Sequence, residues 1–259
     1  MTFSRPLAAL GLAVALVGCR AAPADSPEVP SMETAPQGDR QELAFFSSLP
    51  ILWSEGEVTD LLSADNAPHW ARTAIERRFD LKPVDRLTSL SDETRLMMAQ
   101  PRALAPDENV ALDEWVRAGG DLLMFVDPML TEHSEYGLGD VRRPQTLAML
   151  SPILARWGLE LLLPDLPEAE GAVDWNGTQV PVIAPGRFAL AGDGHESDCT
   201  LSAQGLVASC RIGEGTALLV ADAALLEGEH DHGGEHDEAW EQARESALSA
   251  FLARAFAGT

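Results

Sequence analysis

The sequence predicts an α/β fold in which a mainly parallel sheet is flanked by helices. Continuous apolar runs, such as the one from Asp121 to Pro128, are typical of strands that are buried on both faces. Helical patterns lie between these runs. The clearest extends from Ala105 to Gly120, where Pro106 opens the helix and two glycines close it. Strands that alternate with helices along a chain favour a parallel sheet with helices on both sides.

The predicted elements begin at Leu49. The first six are a strand, a helix, two strands, a helix and a strand, at Leu49–Trp53, Ala67–Phe79, Leu81–Leu87, Arg95–Pro101, Ala105–Gly120 and Asp121–Pro128. Arg142–Leu161 predicts a further helix that leads into a short strand. After Pro164 the pattern changes to short strands and glycine turns, which predicts a β-hairpin-rich insertion over about residues 165–215. A buried strand within Gly213–Leu226 and an amphipathic helix over Asp237–Phe256 complete the domain.

The N-terminus resembles that of a bacterial lipoprotein. An uncharged apolar run from Leu7 to Val17 has the length of a secretory signal, and it ends in the lipobox-like "LVGC". The resemblance implies a signal peptide over residues 1–18, lipidation of Cys19 and anchoring in a lipid bilayer. An ordinary signal peptide with an incidental cysteine is the alternative. Residues 19–41 are predicted to form a disordered tether, and residues 42–259 are predicted to form the folded domain. The folded domain is expected to face the periplasm from a lipid-anchored position, and Arg20 favours the outer membrane as the site of anchoring.

The charge limits the partners. The chain has 18 basic and 41 acidic residues, a net charge of −23. Such an excess of negative charge argues against binding nucleic acid or an anionic lipid surface, because both carry the same sign.

Cys199 and Cys210 predict a disulfide. A turn at Gln204-Gly205 would set the two cysteines opposite each other in a hairpin, and an exported protein meets oxidising conditions. A two-residue turn would make them a wide, hydrogen-bonded pair, so a slightly longer loop is favoured. Two reduced thiols are the alternative.

The residues over Leu49 to Phe256 resemble the GldG-type family of auxiliary components of ABC transport systems. The shared features are the helix ending in Gly-Gly, the strand ending in Asp-Pro, the helix leading into Trp-Gly, and the late glycine-rich turn before a strand that ends in Asp. The resemblance implies a flavodoxin- or amidotransferase-like fold without the Cys-His-Glu catalytic set of the amidotransferases. Family members are often held by a transmembrane helix, whereas this chain carries the predicted lipid anchor.

Candidate ligand-binding residues follow the predicted strands, since parallel sheets bind ligands beyond the carboxyl ends of their strands. These residues are Glu55, Gln100, Asp127 and Asp222. The alternative for the two aspartates is a structural one, because an Asp at a strand end commonly forms a side-chain turn. The stretch after Asp127 is either a lid over the crevice or a surface loop.

The segment "GEHDHGGEHDE" holds three of the six histidines. His230, Asp231, His232 and His236 are a candidate zinc-type ligand set. The alternatives are a solvated polar loop, whose acids favour the start of the last helix, and a catalytic metal.

These observations predict a non-enzymatic, lipid-anchored ligand-binding or scaffold component of an envelope ABC transport system, with permease and ATPase partners implied by the resemblance. No cofactor is expected, apart from a divalent metal such as zinc at the histidine-rich segment. The alternatives are a metal-dependent hydrolase that uses Asp127, Asp222 and the histidines, and a periplasmic metal-binding protein.

Overall fold

The structure is a computed structural model that describes residues 40–55, 67–90, 93–164, 170–228 and 238–257. The predicted signal peptide, Cys19, nearly all of the tether and the candidate metal ligands His230, Asp231, His232 and His236 lie outside these residues.

Eleven strands and four helices are present in these ranges. The strands are β1 (Gln41–Ser47), β2 (Phe79–Pro83), β3 (Arg95–Ala99), β4 (Asp121–Phe125), β5 (Leu159–Leu162), β6 (Glu170–Trp175), β7 (Thr178–Ile183), β8 (Arg187–Leu190), β9 (Ser197–Ser202), β10 (Val207–Ile212) and β11 (Gly215–Val220). The helices are α1 (Trp70–Glu76), α2 (Pro106–Arg117), α3 (Ser151–Arg156) and α4 (Glu238–Ala255).

Seven strands form one mainly parallel sheet in the order β2-β1-β3-β4-β11-β10-β9. The first five strands are mutually parallel. Strand β10 runs antiparallel to both of its neighbours, β11 and β9, and β9 forms one edge of the sheet. The β5–β8 and β6–β7 pairs are separate two-stranded sheets. Because β3, β4 and β11 lie inside the parallel part, their carboxyl ends meet along one edge of the sheet.

Both faces of the sheet are buried, which explains the unbroken apolar runs of β3 and β4. One face packs against α1, α4 and the β6–β7 hairpin, where Phe251 lies 5.5 Å from Phe125 and 4.4 Å from Trp175 between ring centroids. The other face packs against α2 and α3, with the fully buried Trp157 in its core.

Two predicted elements differ strongly from those in the structure, and the strand predicted over Leu81–Leu87 is instead Phe79–Pro83. The first strand is Gln41–Ser47 rather than Leu49–Trp53, because Pro50 lacks the N–H that a central strand must donate. Leu49 and Ile51 are still buried, as turn residues packed on the core. The helix predicted within Arg142–Leu161 is only Ser151–Arg156, since Pro152 favours a first-turn position and sets the start.

The five strands of the predicted insertion do not form one separate unit, although β6 and β7 pair only with each other. Strands β9 and β10 extend that sheet, and β8 pairs with β5, which precedes the insertion. The boundary near residue 165 falls among residues that are not described, so the insertion stays a prediction.

A disulfide joins Cys199 and Cys210. The two residues are directly opposite in the β9–β10 register, and their Cα atoms are 4.0 Å apart, the closer type of antiparallel pair. The connecting loop has four residues, Ala203 to Leu206, because the ladder closes with Ser202 opposite Val207. The predicted pairing is confirmed, with the longer loop that the pair spacing required.

None of the helices in the described ranges is long and apolar enough to cross a membrane.

Candidate functional site

Asp127 and Asp222 lie together at the carboxyl edge of the sheet. Each follows its strand by two residues, and the strand ends Phe125 and Val220 are paired in the parallel β4–β11 register. Both aspartates are completely buried, at 0% exposure. The structure therefore brings these two predicted ligand-binding residues together, but beneath the surface rather than in an open crevice.

Backbone N–H groups bind all four carboxylate oxygens of this pair. Asp127 accepts hydrogen bonds from the N–H groups of Met129 (2.7 Å) and Ala223 (3.4 Å). Asp222 accepts from the N–H groups of Ala224 (2.6 Å) and Ile183 (3.0 Å). The bonds to Met129 and Ala224 are the side-chain turns that the structural alternative predicted. Neither carboxyl group has a cationic partner within the part of the chain that the structure describes.

Burial raises the pKa of both groups. It raises the pKa of Asp127 to about 7 and that of Asp222 well above its usual value, because the ionised form loses its hydration. The negative charge of each neighbouring carboxylate adds to this effect. The backbone hydrogen bonds oppose it but do not cancel it. With this pKa, Asp127 holds or releases its proton near neutral pH.

Glu227 is a third buried acid at this edge, and sequence reasoning missed it. It is 2% exposed, and its carboxylate accepts hydrogen bonds from Thr131, at 3.1 Å from the backbone N–H and 2.8 Å from the hydroxyl. Its charge raises the pKa of both aspartates. The sequence does contain a signal for it. Glu227 directly follows the apolar stretch "AALL" after Asp222, and that stretch is buried in the structure.

Gln100 lies beside Asp127 and is also completely buried. It follows β3, and its side-chain amide bonds to the backbone of Asp127. It is thus at the predicted edge, but its polar atoms are engaged within the protein.

A long connection covers this edge. The chain between Phe125 and Ser151 contains no helix or strand, and loops of this length within a compact domain are commonly functional, for example as lids. We call residues 126–150 the cover loop. Gln145 of this loop donates its N–H to the Ser48 hydroxyl after β1, so the loop reaches across the sheet edge.

Glu55 binds the cover loop rather than the aspartate pair. Its carboxylate accepts hydrogen bonds from the Ser134 hydroxyl (2.8 Å) and the Glu135 N–H (2.8 Å). Trp53 and Tyr136, with ring centroids 6.2 Å apart, add a contact beside it. Glu55 is thereby a fastening point of the loop.

Replacing Glu55 by alanine is expected to loosen the cover loop without unfolding the domain. Without the carboxylate, the Glu135 N–H loses its acceptor. Hydrogen exchange at Glu135 and Tyr136 should therefore accelerate by about tenfold, the effect of losing one hydrogen bond of about 1.4 kcal/mol. Amide exchange measured by mass spectrometry or NMR tests this. Glu42→Ala, on the exposed start of β1, is the control, and equal exchange in both variants would contradict the assignment.

A metal centre is not evident in the described part of the chain, which holds no group of three or more His, Cys, Asp or Glu side chains placed to bind an ion. The histidine-rich segment over residues 229–237 is outside it, so its zinc-type site stays a prediction. His69 caps α1 by accepting the Ala71 N–H at 3.2 Å.

The chain was compared with known proteins. No protein-family model and no curated protein matches it. Aligned solved structures include an exo-β-1,4-mannosidase from an Opitutaceae bacterium, with 15% identity, 84% of this chain and 36% of that chain covered, and a TM-score of 0.47. A GH42 β-galactosidase from G. stearothermophilus aligns with 14% identity, 83% and 30% coverage, and a TM-score of 0.46. A cytoplasmic protein from Salmonella typhimurium aligns with 13% identity, 82% and 98% coverage, and a TM-score of 0.47.

The chain thus spans about a third of the length of each of these glycosidases. At these identities and TM-scores the alignments supply neither a substrate nor a catalytic residue for it.

The GldG-type assignment and the flavodoxin- or amidotransferase-like fold are wrong, since the aligned structures are glycosidases and Salmonella proteins. The mainly parallel sheet itself is present. The motifs that carried the resemblance, Gly-Gly after a helix and Asp-Pro after a strand, mark element ends in α/β domains generally.

The prediction of a non-enzymatic transport scaffold is corrected by the same alignments. It relied on the resemblance and on the missing Cys-His-Glu catalytic set, although acid–base chemistry needs only two suitable carboxyl groups. The permease and ATPase partners, the lipid anchor at Cys19 and the periplasmic location stay predictions.

Proposed function

We propose that this chain is a hydrolase that works by general acid–base catalysis, with Asp127 and Asp222 as its proton-transferring pair. The observation that carries this proposal is the burial of two adjacent carboxyl groups, without a cationic partner among the described residues, at the carboxyl edge of a parallel sheet. Perturbed acids at such an edge are the physical signature of a functional site.

The pair suits proton transfer at neutral pH. A general acid or base is most effective when its pKa lies near the working pH, and burial raises the pKa of Asp127 to about 7. Two carboxyl groups with different affinities for a proton can divide the work, one donating while the other accepts.

Glycosides are the substrate class that this chemistry fits best. Glycosidic bonds are cleaved by a pair of carboxyl groups, one protonating the leaving oxygen and the other activating water or attacking the sugar. No serine or cysteine nucleophile is needed, which agrees with the absence of the usual nucleophile motif from the sequence.

Access requires the cover loop, of which Asp127 is itself a part, to move, because both aspartates are fully buried. The loop is fastened by side-chain contacts, from Glu55 to Ser134 and from Glu227 to Thr131. Such contacts can open without disturbing the sheet.

The test is turnover of aryl glycosides, with aryl esters and aryl phosphates as comparison substrates, by the full chain and by three variants. Asp127→Asn and Asp222→Asn are expected to lower kcat/KM by about 100-fold or more, the usual contribution of a general acid or base. Asp198→Asn, exposed on β9, is expected to retain full activity. Absence of turnover by the unmodified chain, or equal turnover by Asp127→Asn and Asp198→Asn, would overturn the proposal.

A further inference from the structure

Gln100 adopts a backbone conformation that is unusual for its residue type. Its φ is +41°, in the left-handed region that non-glycine residues seldom occupy. A glycine would adopt this conformation without strain. A glutamine at this position therefore adopts a strained backbone conformation. Such strain is maintained only where contacts with surrounding residues hold the conformation in place.

The side chain of Gln100 binds both backbone polar groups of Asp127. Its Oε1 accepts the Asp127 N–H at 2.7 Å, and its Nε2 donates to the Asp127 carbonyl at 3.0 Å. Two opposed hydrogen bonds to one residue fix the orientation of that residue's backbone. The Asp127 side chain therefore extends from a fixed backbone, and the N–H groups of Met129 and Ala223 hold its carboxyl group.

The same residue also binds the cover loop and the end of β1. Its Nε2 donates to the Gln145 carbonyl at 2.7 Å, and its own carbonyl accepts the Ser48 hydroxyl. Ser48 in turn accepts the Gln145 N–H at 3.0 Å. Gln100 thus connects three parts of the sheet edge: Asp127, the cover loop and the turn after β1.

We propose that Gln100 is the positioning residue of the acid–base pair, holding Asp127 and the closed cover loop in one fixed arrangement. This assignment rests on the proposed function for its catalytic meaning, although the positioning can be measured without a substrate. It replaces the direct ligand-binding role that the sequence predicted for Gln100, because the side chain is fully buried and both of its polar atoms are engaged.

The test compares Gln100→Gly with Gln204→Gly in the full chain. Gln204 is also a glutamine with positive φ, at +59°, but it lies exposed in the β9–β10 loop. Both changes relieve backbone strain, and only the first removes contacts to Asp127. The readouts are the titration midpoint of the Asp127 carboxyl carbon by NMR and the pH profile of any glycoside turnover.

Gln100→Gly is expected to lower the Asp127 midpoint by about one pH unit or more, because water enters the vacated volume and hydrates the ionised form. The charged groups that face Asp127 are the acids Asp222 and Glu227, and neither change alters them. The limb of the activity profile that reports Asp127 should shift in the same direction. Gln204→Gly should leave both readouts unchanged.

An Asp127 midpoint in Gln100→Gly equal to that of the unmodified chain would overturn the positioning role. If that variant does not fold, Gln100→Asn decides, since asparagine tolerates positive φ and keeps an amide that is one methylene too short to reach. A shifted midpoint in a chain that turns over no substrate would uphold the positioning and reject the proposed hydrolase.

Discussion

Replacing Asp127 by asparagine is expected to remove a loss of stability that the unmodified protein undergoes between pH 4 and pH 7. Burial raises the pKa of Asp127 to about 7, whereas an unfolded aspartate titrates near 4. In this interval the folded chain holds a proton that the unfolded chain has released. Stability therefore falls as the pH rises, by about 1.4 kcal/mol per pH unit for one proton.

Over about three pH units the loss amounts to about 4 kcal/mol. Asp222 acts in the same direction, because burial raises its pKa as well. Asp127→Asn cannot ionise, so relative to the unmodified chain it should gain stability steadily from pH 4 to pH 7. At low pH it should be slightly less stable, since its Nδ2 cannot accept the Ala223 N–H.

Urea unfolding at several pH values measures this effect, with the exposed Asp198→Asn as the control. The free energy of unfolding of the control should follow that of the unmodified chain. A decline between pH 4 and pH 7 that is equally steep in Asp127→Asn would show that Asp127 does not carry the proton.

Replacing Glu108 by alanine is expected to destabilise the domain by about 2 kcal/mol, the loss typical of removing hydrogen bonds to a charged group, because Arg102 is partly exposed and stays solvated. Glu108 is 1% exposed at the start of α2. Its carboxylate receives two hydrogen bonds from the Arg102 guanidinium, at 2.7 and 2.8 Å, and one from the Ala105 N–H at 3.0 Å. Alanine leaves these donors without their acceptor.

The pH dependence of this contribution has the opposite sign. The hydrogen bonds from Arg102 lower the pKa of Glu108 to about 2. Its stabilisation is therefore complete above the unfolded pKa near 4.3 and is lost as the pH falls towards 2. Thermal or urea unfolding at pH 6 and at pH 3 tests both points.

Glu114→Ala is the matched control, because this glutamate lies exposed on the same helix. A difference between the two alanine variants that stays constant from pH 6 to pH 3 would contradict the assigned pKa of Glu108.

Much of the parallel sheet could be predicted from the sequence, because its signals are local. Pro106 and the Gly119-Gly120 pair marked α2, and the observed helix runs from Pro106 to Arg117. The run after it gave β4, and the cysteine spacing gave the pair in the β9–β10 hairpin. Where burial alone was the signal, prediction failed: Leu49 and Ile51 are core residues, but they lie in turns after β1.

The site could be predicted only in part. That Asp127 and Asp222 lie at the same edge followed from the fold class, since parallel strands end at a common edge, whereas the pairing of their strands is seen only in the structure. Their complete burial did not follow, because the paths of the cover loop and of the other segments at this edge are set by contacts between residues that are distant in sequence. Glu55 fastens Ser134, and Gln100 binds Gln145. Pairings of this kind leave no periodic pattern in the sequence, so the sequence could not predict them. Three residues predicted to bind ligand directly, Gln100, Asp127 and Asp222, are therefore found buried. The fourth, Glu55, fastens the loop.

The most direct test of a proton-transferring pair is the pH titration of the aspartate carboxyl carbons by NMR in the full chain, with Asp127→Asn and Asp222→Asn to assign the two signals. A midpoint for Asp127 near 7, and one for Asp222 well above the usual range of an aspartate, are predicted. Midpoints near 4 for both residues would contradict a buried pair that holds a proton at neutral pH, and with it the proposed acid–base chemistry.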